Sequence, residues 1–330
     1  MDICIVGLGA VGSLLAAGLT QHLPAATHRV SAFARGATLA ALQKNGLQID
    51  SEQGLRSLPL RASDSAAELG PQDLVIVAVK APALASVAPA VQALCGPDTA
   101  VLVALNGVPW WFFDGLPGPC AGLRLPSVDA GGLLTRLMPT QQLVGCVVHA
   151  SSSCPAPGVL QHGGGKGLII GRPAGGVDAP LQALGALLGQ AGFEVTVSAR
   201  IQREVWFKLW GNMTMNPLSA LTGATVDRIL DDPLLRAFAS AIMLEAQQLG
   251  AAFGIPIEQQ PDDRHAVTRK LGAFKTSMLQ DLQAGRALEL DALVGAVRDI
   301  SHHLSLTTPN IDALFGLTRV LAQQRGLYPA

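Results

Sequence analysis

The sequence predicts an α/β domain built on a mostly parallel sheet, followed by an all-helical domain. The chain has 330 residues, more than a single hydrophobic core usually serves. Short apolar runs alternate with helical stretches as far as Ser198, as in a parallel sheet covered on both faces. Beyond Ser198, helical patterns follow one another with few strand signals. We therefore expect separate domains at residues 1–198 and 199–330.

Apolar runs and turn residues place the predicted elements in order. The opening DICIVG run predicts a strand, and the stretch from Ser13 to Gln21 predicts a helix. Residues 108–140 are rich in Gly, Pro and aromatic residues and should form a functional loop or an insertion. Further strands are predicted at residues 29–34, 74–79, 100–105 and 143–149, with short strand pieces within 154–176. Further helices are predicted at residues 181–192, 202–215, 233–253, 262–283 and 288–304.

The composition narrows the class of protein. Hydrophobic residues make up 49% of the chain and charged residues 14%, as in a well-buried globular enzyme. A formal net charge of -1 creates no field that would attract nucleic acid. Every long apolar stretch is interrupted by Gly, Pro or a charge, so we expect no membrane-spanning helix. These features predict a soluble protein with neither nucleic acid nor membrane as partner.

The cysteines and histidines show no metal-binding pattern. Five cysteines stand at irregular spacings without a C-x-x-C pair, which favours reduced thiols in a cytoplasmic protein. His302 and His303 are adjacent rather than four residues apart, and no H-E-x-x-H motif occurs. We therefore expect no metal site.

The segment Gly7-Leu8-Gly9-Ala10-Val11-Gly12 has the spacing G-x-G-x-x-G between a predicted strand and a predicted helix. In this pattern the first glycine permits a tight turn, the second lets the backbone approach a pyrophosphate, and the third lets helix and strand pack closely. The N-terminus of the helix offers free amides and a positive dipole end to the phosphates. The first domain is therefore predicted to be a dinucleotide-binding domain of the Rossmann type.

Two cations follow later strands of this domain. NAD-binding proteins usually carry Asp or Glu after the second strand, where it holds the ribose 2'-hydroxyl, but this sequence has Arg35. A guanidinium favours a 2'-phosphate instead, so we predict NADP(H) as the cofactor. Lys80, in VAVKAP after the third predicted strand, should lie at the same carboxyl edge of the sheet. The alternative is that either residue is an ordinary surface cation.

Candidate catalytic residues lie on the first helix of the second domain. Lys208, Asn212 and Asn216 recur at four-residue steps, so they share one face of a helix that is otherwise apolar. Two amides beside one lysine suit a cleft that holds a small polar substrate. Further along the chain, Glu289 stands between two leucines, where a buried carboxylate needs a partner. Taken alone, these residues also fit an amphipathic helix and a surface acid.

Together, these segments resemble the ketopantoate reductase family. The matching elements occur in the family's order and span nearly the whole chain. They are GLGAVG, VAVKA around Lys80, LNGV around Asn106, WFKLWGNMTMNPLSALTG, and SMLQDLQAGRALELDALVGAV. The resemblance implies a Rossmann domain followed by a helical domain like those of 6-phosphogluconate dehydrogenases, with the active site in the cleft between them.

The resemblance also implies roles for particular residues. Lys208 corresponds to the catalytic lysine, which would stabilise and then protonate the substrate oxygen. Asn106 would lie beside the nicotinamide and the substrate. Glu289 would position a substrate hydroxyl and could keep the lysine charged. The remaining implied substrate contacts are Asn212, Asn216 and Ser277.

The implied activity is NADPH-dependent reduction of a small 2-oxo acid, with ketopantoate as the leading substrate and pantothenate biosynthesis as the pathway. Family members are often dimers, so a homodimer is the expected assembly by analogy. One alternative is a paralogous 2-oxo-acid, 3-hydroxy-acid or opine-type dehydrogenase. Another is a non-catalytic NADP(H)-binding sensor, and a weaker one is a methyltransferase.

Overall fold

The computed structural model describes residues 1–52 and 54–329. Two compact units divide the chain: Met1–Leu105 with Gly132–Ile201, and Asn106–Gly131 with the residues from Gln202 onward. The first unit holds the sheet. Its strands are Asp2–Val6 (β1), Arg29–Phe33 (β2), Leu47–Ser51 (β3), Gly54–Leu58 (β4), Arg61–Ser63 (β5), Gln72–Val77 (β6), Cys95–Ala104 (β7), Leu143–Ala156 (β8), Val159–Gly171 (β9) and Glu194–Val197 (β10).

The strand order confirms the predicted fold of the first unit. Strands β5-β2-β1-β6-β7-β8 lie side by side and run parallel, which is the order of a Rossmann sheet. Chain direction changes at two hairpin pairs, β3 with β4 and β8 with β9, which are antiparallel. The sheet is therefore mixed around a parallel core. The central strand β1 is apolar and fully buried from Ile3 to Val6, as expected for a strand of a sheet covered on both faces.

Helices cover this sheet and make up most of the second unit. The helices of the first unit are Ala10–His22 (α1), Gly36–Asn45 (α2), Ala66–Leu69 (α3), Leu84–Leu94 (α4), Leu133–Leu137 (α5) and Ala179–Gln190 (α6). Those that follow are Ile201–Thr222 (α7), Val226–Asp231 (α8), Pro233–Ala252 (α9), Pro261–Arg269 (α10), Ser277–Gln283 (α11), Ala296–His303 (α12) and Pro309–Gln324 (α13). A π-helical turn, Asp291–Gly295, leads into α12. Among the described residues, no helix is both long and apolar enough to cross a membrane.

The aromatic segment after β7 belongs to the core of the second unit. Trp110, Trp111, Phe112 and Phe113 are each at most 2% exposed. Phe112 and Phe113 meet the ring of Phe253 edge to face, at centroid distances of 6.0 and 5.4 Å. Such pairs stabilise a fold beyond the apolar area that they bury. The segment is thus a packing element of the helical unit, which explains its grouping with the helices.

The structure differs from the sequence predictions in one helix and in the division between the two units. The stretch 262–283 was predicted as one helix, and this is wrong because the chain breaks between α10 and α11. Gly272 adopts a positive φ of 64° there, and the Thr276 side chain caps α11 by accepting a hydrogen bond from the Leu279 amide. The predicted boundary at residues 198 and 199 lies close to the division near Ile201, whereas residues 106–131 group with the second unit.

Replacing Phe253 with Ala should destabilise the second unit by about 3–5 kcal/mol, because a buried aromatic cluster loses its central ring. All four tryptophans of the chain lie at positions 110, 111, 206 and 210, within this unit. Urea unfolding followed by tryptophan fluorescence therefore reports on it alone. Leu271→Ala, at a residue 61% exposed, is the control and should shift the unfolding free energy by less than about 0.5 kcal/mol. Equal effects of the two variants would contradict this account of the core.

Candidate active site

The glycine turn after β1 has the geometry of a dinucleotide site. Gly7 has a φ of 93°, and a Cβ atom there would lie 2.4 Å from Val79 Cγ1. A Cβ at Gly12 would lie 1.9 Å from the Gly7 carbonyl oxygen, so helix α1 can approach the turn only with glycine. A Cβ at Gly9 meets no atom within 4 Å in the part of the chain described. Space is therefore left at Gly9, where a phosphate must come close to the backbone.

The N-terminus of α1 suits an anion. Gly9 occupies the N-cap and has no side chain with which to cap the helix, and the first turn of α1 carries no acidic residue. The first amides of a helix need acceptors from outside it, and phosphate oxygens are suitable acceptors. The other residues of the turn are tied back to the protein, since Ser13 Oγ donates to the Leu8 carbonyl at 3.1 Å and Ser152 Oγ to the Ala10 carbonyl at 3.0 Å. The residues of this turn fit a dinucleotide.

Arg35 and Lys80 follow the strands on either side of β1. Arg35 is the N-cap residue of α2, just beyond β2, and Lys80 lies just beyond β6. Both side chains are exposed, and Arg35 Nη2 donates to Ser86 Oγ at 3.0 Å. Helix α2 has no acidic residue in its first turn, so no carboxylate of that turn would repel a phosphate. The first unit therefore presents two cations at the carboxyl edge of its sheet.

In the second unit, Lys208 is held by an amide. Helix α7 buries Trp206, Leu209 and Trp210, which leaves the half-buried Lys208 on its more accessible face. The ammonium group donates a hydrogen bond to Asn106 Oδ1 at 2.9 Å. This contact joins residues 102 positions apart in the sequence and fixes one direction of an otherwise flexible amine. Asn212, one turn further along α7, is also half-buried.

Asn106 is itself held in place by the backbone that follows it. Gly107 has a φ of 84°, and a Cβ there would lie 2.4 Å from the Ala292 carbonyl oxygen. The Val108 amide donates to that same carbonyl at 2.8 Å. The turn after Asn106 therefore packs directly on the π-helical turn that begins two residues after Glu289.

Glu289 lies in a largely buried position, with 8% of its surface exposed. Its backbone carbonyl accepts from the Leu293 amide at 3.1 Å, and the Leu288 amide donates to the Leu327 carbonyl at 3.2 Å. Tyr328, the one tyrosine in the sequence, donates its hydroxyl to Asp291 Oδ1 at 2.5 Å. Residues on both sides of Glu289 are thus fastened to the C-terminal segment.

The Asp291 and Tyr328 pair was not predicted from the sequence. Burial raises the pKa of Asp291, and the hydrogen bond from Tyr328 partly offsets this effect. The pKa of Tyr328 is raised as well, first by burial and then by its bond to Asp291. The phenol therefore stays a neutral donor. No local motif marks this pair, because the two residues are 37 positions apart.

The remaining predicted site residues lie on two adjacent helices. Asn216 is buried, and its amide nitrogen lies 3.4 Å from Ser277 Oγ, at the outer limit of a hydrogen bond. Ser277 is the first residue of α11, directly after the capping Thr276. The structure therefore brings together Lys208 with Asn106, and Asn216 with Ser277. Among the described residues, no group of three or more His, Cys, Asp or Glu side chains could hold a metal ion.

Comparisons with known proteins bear on the whole chain. The family model described as "Ketopantoate reductase PanE/ApbA" matches residues 3–110, and its C-terminal counterpart matches residues 200–322. A 2-dehydropantoate 2-reductase of Mesorhizobium japonicum is 41% identical over 328 residues, covering 99% of this chain and 100% of the relative.

Solved structures give the same result. A Ralstonia solanacearum protein assigned as a ketopantoate reductase superposes with a TM-score of 0.94 at 55% identity, covering 99% of both chains. The 2-dehydropantoate 2-reductase of Methylococcus capsulatus superposes with a TM-score of 0.81 at 26% identity, covering 98% of both chains. The resemblance drawn from the motifs is confirmed, and the chain belongs to the ketopantoate reductase family.

Proposed function

We propose that this protein reduces 2-dehydropantoate (ketopantoate) to pantoate with NADPH, a step of pantothenate biosynthesis. The observation that carries the proposal is the hydrogen bond from Lys208 to Asn106, which orients an amine on a helix of the unit that the second family model matches. The name of the Mesorhizobium japonicum relative supports the substrate, because its identity extends over 99% of this chain. The residue roles below are part of the proposal.

The nicotinamide, when bound, supplies the hydride for the 2-oxo carbon. The protein must stabilise the negative charge that develops on the carbonyl oxygen and then deliver a proton to it. Lys208 is suited to both tasks, as a cationic hydrogen-bond donor and as a general acid. Asn106 accepts one N–H of Lys208 and thereby orients the amine. After the proton transfer, the lysine regains a proton from solvent.

Other residues would position the substrate. Asn212 shares the accessible face of α7 with Lys208 and would donate to the carboxylate or the carbonyl. Ser277 and Glu289 would share hydrogen bonds with the substrate hydroxyl, and correct positioning of this kind contributes strongly to rate. Asn216 is buried against Ser277, and its main part would be to hold that serine in place.

NADP(H) rather than NAD(H) is the proposed cofactor. Arg35 stands where a carboxylate would select the ribose 2'-hydroxyl, and its exposed guanidinium can form paired hydrogen bonds with a 2'-phosphate. Lys80 would add a second positive charge at the same edge of the sheet.

We also propose that the protein is cytoplasmic and forms a homodimer. The second unit exposes three large apolar residues that a dimer would cover. They are Leu234, Leu317 and Val320, which are 80%, 59% and 54% exposed.

Lys208→Ala should lower kcat for ketopantoate by about 10²–10⁴-fold, because the substrate oxygen loses its proton donor. The Kd for NADPH should change less than about twofold. Turnover is followed by loss of NADPH absorbance over a panel of small 2-oxo acids, with NADH as the alternative reductant. The exposed Lys270→Ala is the control and should leave kcat unchanged. Near-normal turnover in the Lys208 variant would remove the lysine from the mechanism.

Arg35→Ala should weaken NADPH binding by tenfold or more, since a charged hydrogen bond contributes about 1.5–3 kcal/mol. NADH binding should stay nearly constant, because that cofactor has no 2'-phosphate. Equilibrium titration of both cofactors measures the two constants. An equal loss of affinity for NADPH and NADH would show that Arg35 stabilises the fold or contacts the pyrophosphate instead.

Gly9→Ala and Gly12→Ala should separate cofactor binding from folding. A Cβ at Gly9 meets no described neighbour, whereas a Cβ at Gly12 would lie 1.9 Å from a backbone oxygen. We therefore expect Gly9→Ala to keep its melting temperature and bind NADPH at least tenfold more weakly. Gly12→Ala should melt at a clearly lower temperature without any ligand. Unchanged NADPH affinity in a folded Gly9 variant would place the phosphates elsewhere.

A further inference from the structure

Arg264 has an environment unlike that of a surface arginine. It lies on α10, and its guanidinium carbon is 5.3 Å from the centre of the Phe207 ring. The same group rests on Gly211, where a Cβ would lie 2.9 Å from both Nε and Nη2 of Arg264. The Nε atom is buried without a hydrogen-bond partner. Burial lowers the pKa of this guanidinium.

The acids nearest in sequence do not neutralise Arg264. Asp263 accepts the Gln260 amide at 2.9 Å in the capping box of α10. Asp262 acts on His265, whose pKa it raises against a larger effect of burial. Among the described residues, no salt bridge includes Arg264. A partly buried cation without an anion is unfavourable, because desolvation is then not offset by any charge pairing.

The guanidinium lies on the same stretch of α7 as the proposed catalytic lysine. Phe207 immediately precedes Lys208, and Gly211 follows Lys208 by three residues, so that Lys208 and Gly211 are neighbours on the helix surface. Only a residue without a side chain leaves space for Arg264 there. Asn212, the next residue, adds an amide. Lys208 and Asn212 thus lie on the strip of α7 next to the one that Arg264 covers.

We propose that Arg264 binds the carboxylate of the 2-oxo acid, while Lys208 acts on the adjacent carbonyl oxygen. This inference rests on the proposed function and adds a specificity-determining residue to it. A guanidinium is suited to a carboxylate because its fork of N–H donors matches the two oxygens. Stacking on Phe207 holds that fork in a fixed orientation. The carboxylate of the bound substrate then supplies the anion that Arg264 lacks in the free protein.

The test compares a charged substrate with a neutral one. Ketopantoate has a carboxylate, whereas its lactone keeps the 2-oxo group without the charge. Arg264→Gln should raise the KM for ketopantoate by tenfold to a hundredfold at saturating NADPH, and change kcat/KM for the lactone by less than twofold. Arg264→Lys keeps the charge but not the fork of donors, so its KM for ketopantoate should lie between those of the unaltered protein and of Arg264→Gln. Arg203→Gln removes an exposed cation from the same side of α7. This control should change neither the KM for ketopantoate nor kcat/KM for the lactone.

A binding measurement separates this inference from the proposed reaction. Calorimetry of pantoate, which NADPH cannot reduce, should give a Kd at least tenfold weaker for Arg264→Gln than for the unaltered protein. If the unaltered protein binds pantoate through Arg264 yet reduces no ketopantoate, the proposed reaction fails and the carboxylate site stands. Any of three results would overturn the inference: the folded Arg264 variants bind pantoate normally, Arg264→Gln lowers kcat/KM for the lactone as much as for ketopantoate, or the unaltered protein binds no pantoate.

Discussion

The hydrogen bond between Lys208 and Asn106 is the interaction on which the candidate site depends. A lysine amine on a four-carbon stem has many orientations, and one acceptor at 2.9 Å selects among them. The acceptor is effective because its own backbone cannot move freely: Gly107 has a positive φ and fits against the Ala292 carbonyl. Replacing Gly107 by any larger residue would therefore displace the lysine without touching it.

This constraint continues into the C-terminal segment. Ala292 lies in the π-helical turn, where a wider backbone spacing often accompanies functional sites. That turn is fastened by Tyr328 through Asp291, and the residue before Glu289 is fastened by Leu327. The Tyr328 phenol stays neutral because its pKa is raised, so it remains the donor in this hydrogen bond.

The sequence predicted the features that local periodicity encodes. The parallel core of the first unit follows from apolar runs bounded by turn residues, and the glycine turn from its spacing between strand and helix. The break between α10 and α11 was missed because helical periodicity continues on both sides of Gly272. For the aromatic segment the sequence predicts a loop or an insertion, because nothing local shows that Phe112 and Phe113 pack against Phe253, 140 residues away from Phe113. Contacts of that kind depend on tertiary packing, which cannot be predicted from the pattern of residues that are adjacent in the sequence.

Arg264 shows the same limit in the site itself. Its position in the sequence, among acids at the start of a helix, is typical of a solvated surface arginine. Only the fold brings it over Phe207 and against Gly211, and only there does its lack of an anion become unfavourable. Desolvation of the Arg264 guanidinium is therefore unfavourable in the free protein, and a carboxylate bound beside it, as we propose for the 2-oxo acid, would offset that cost.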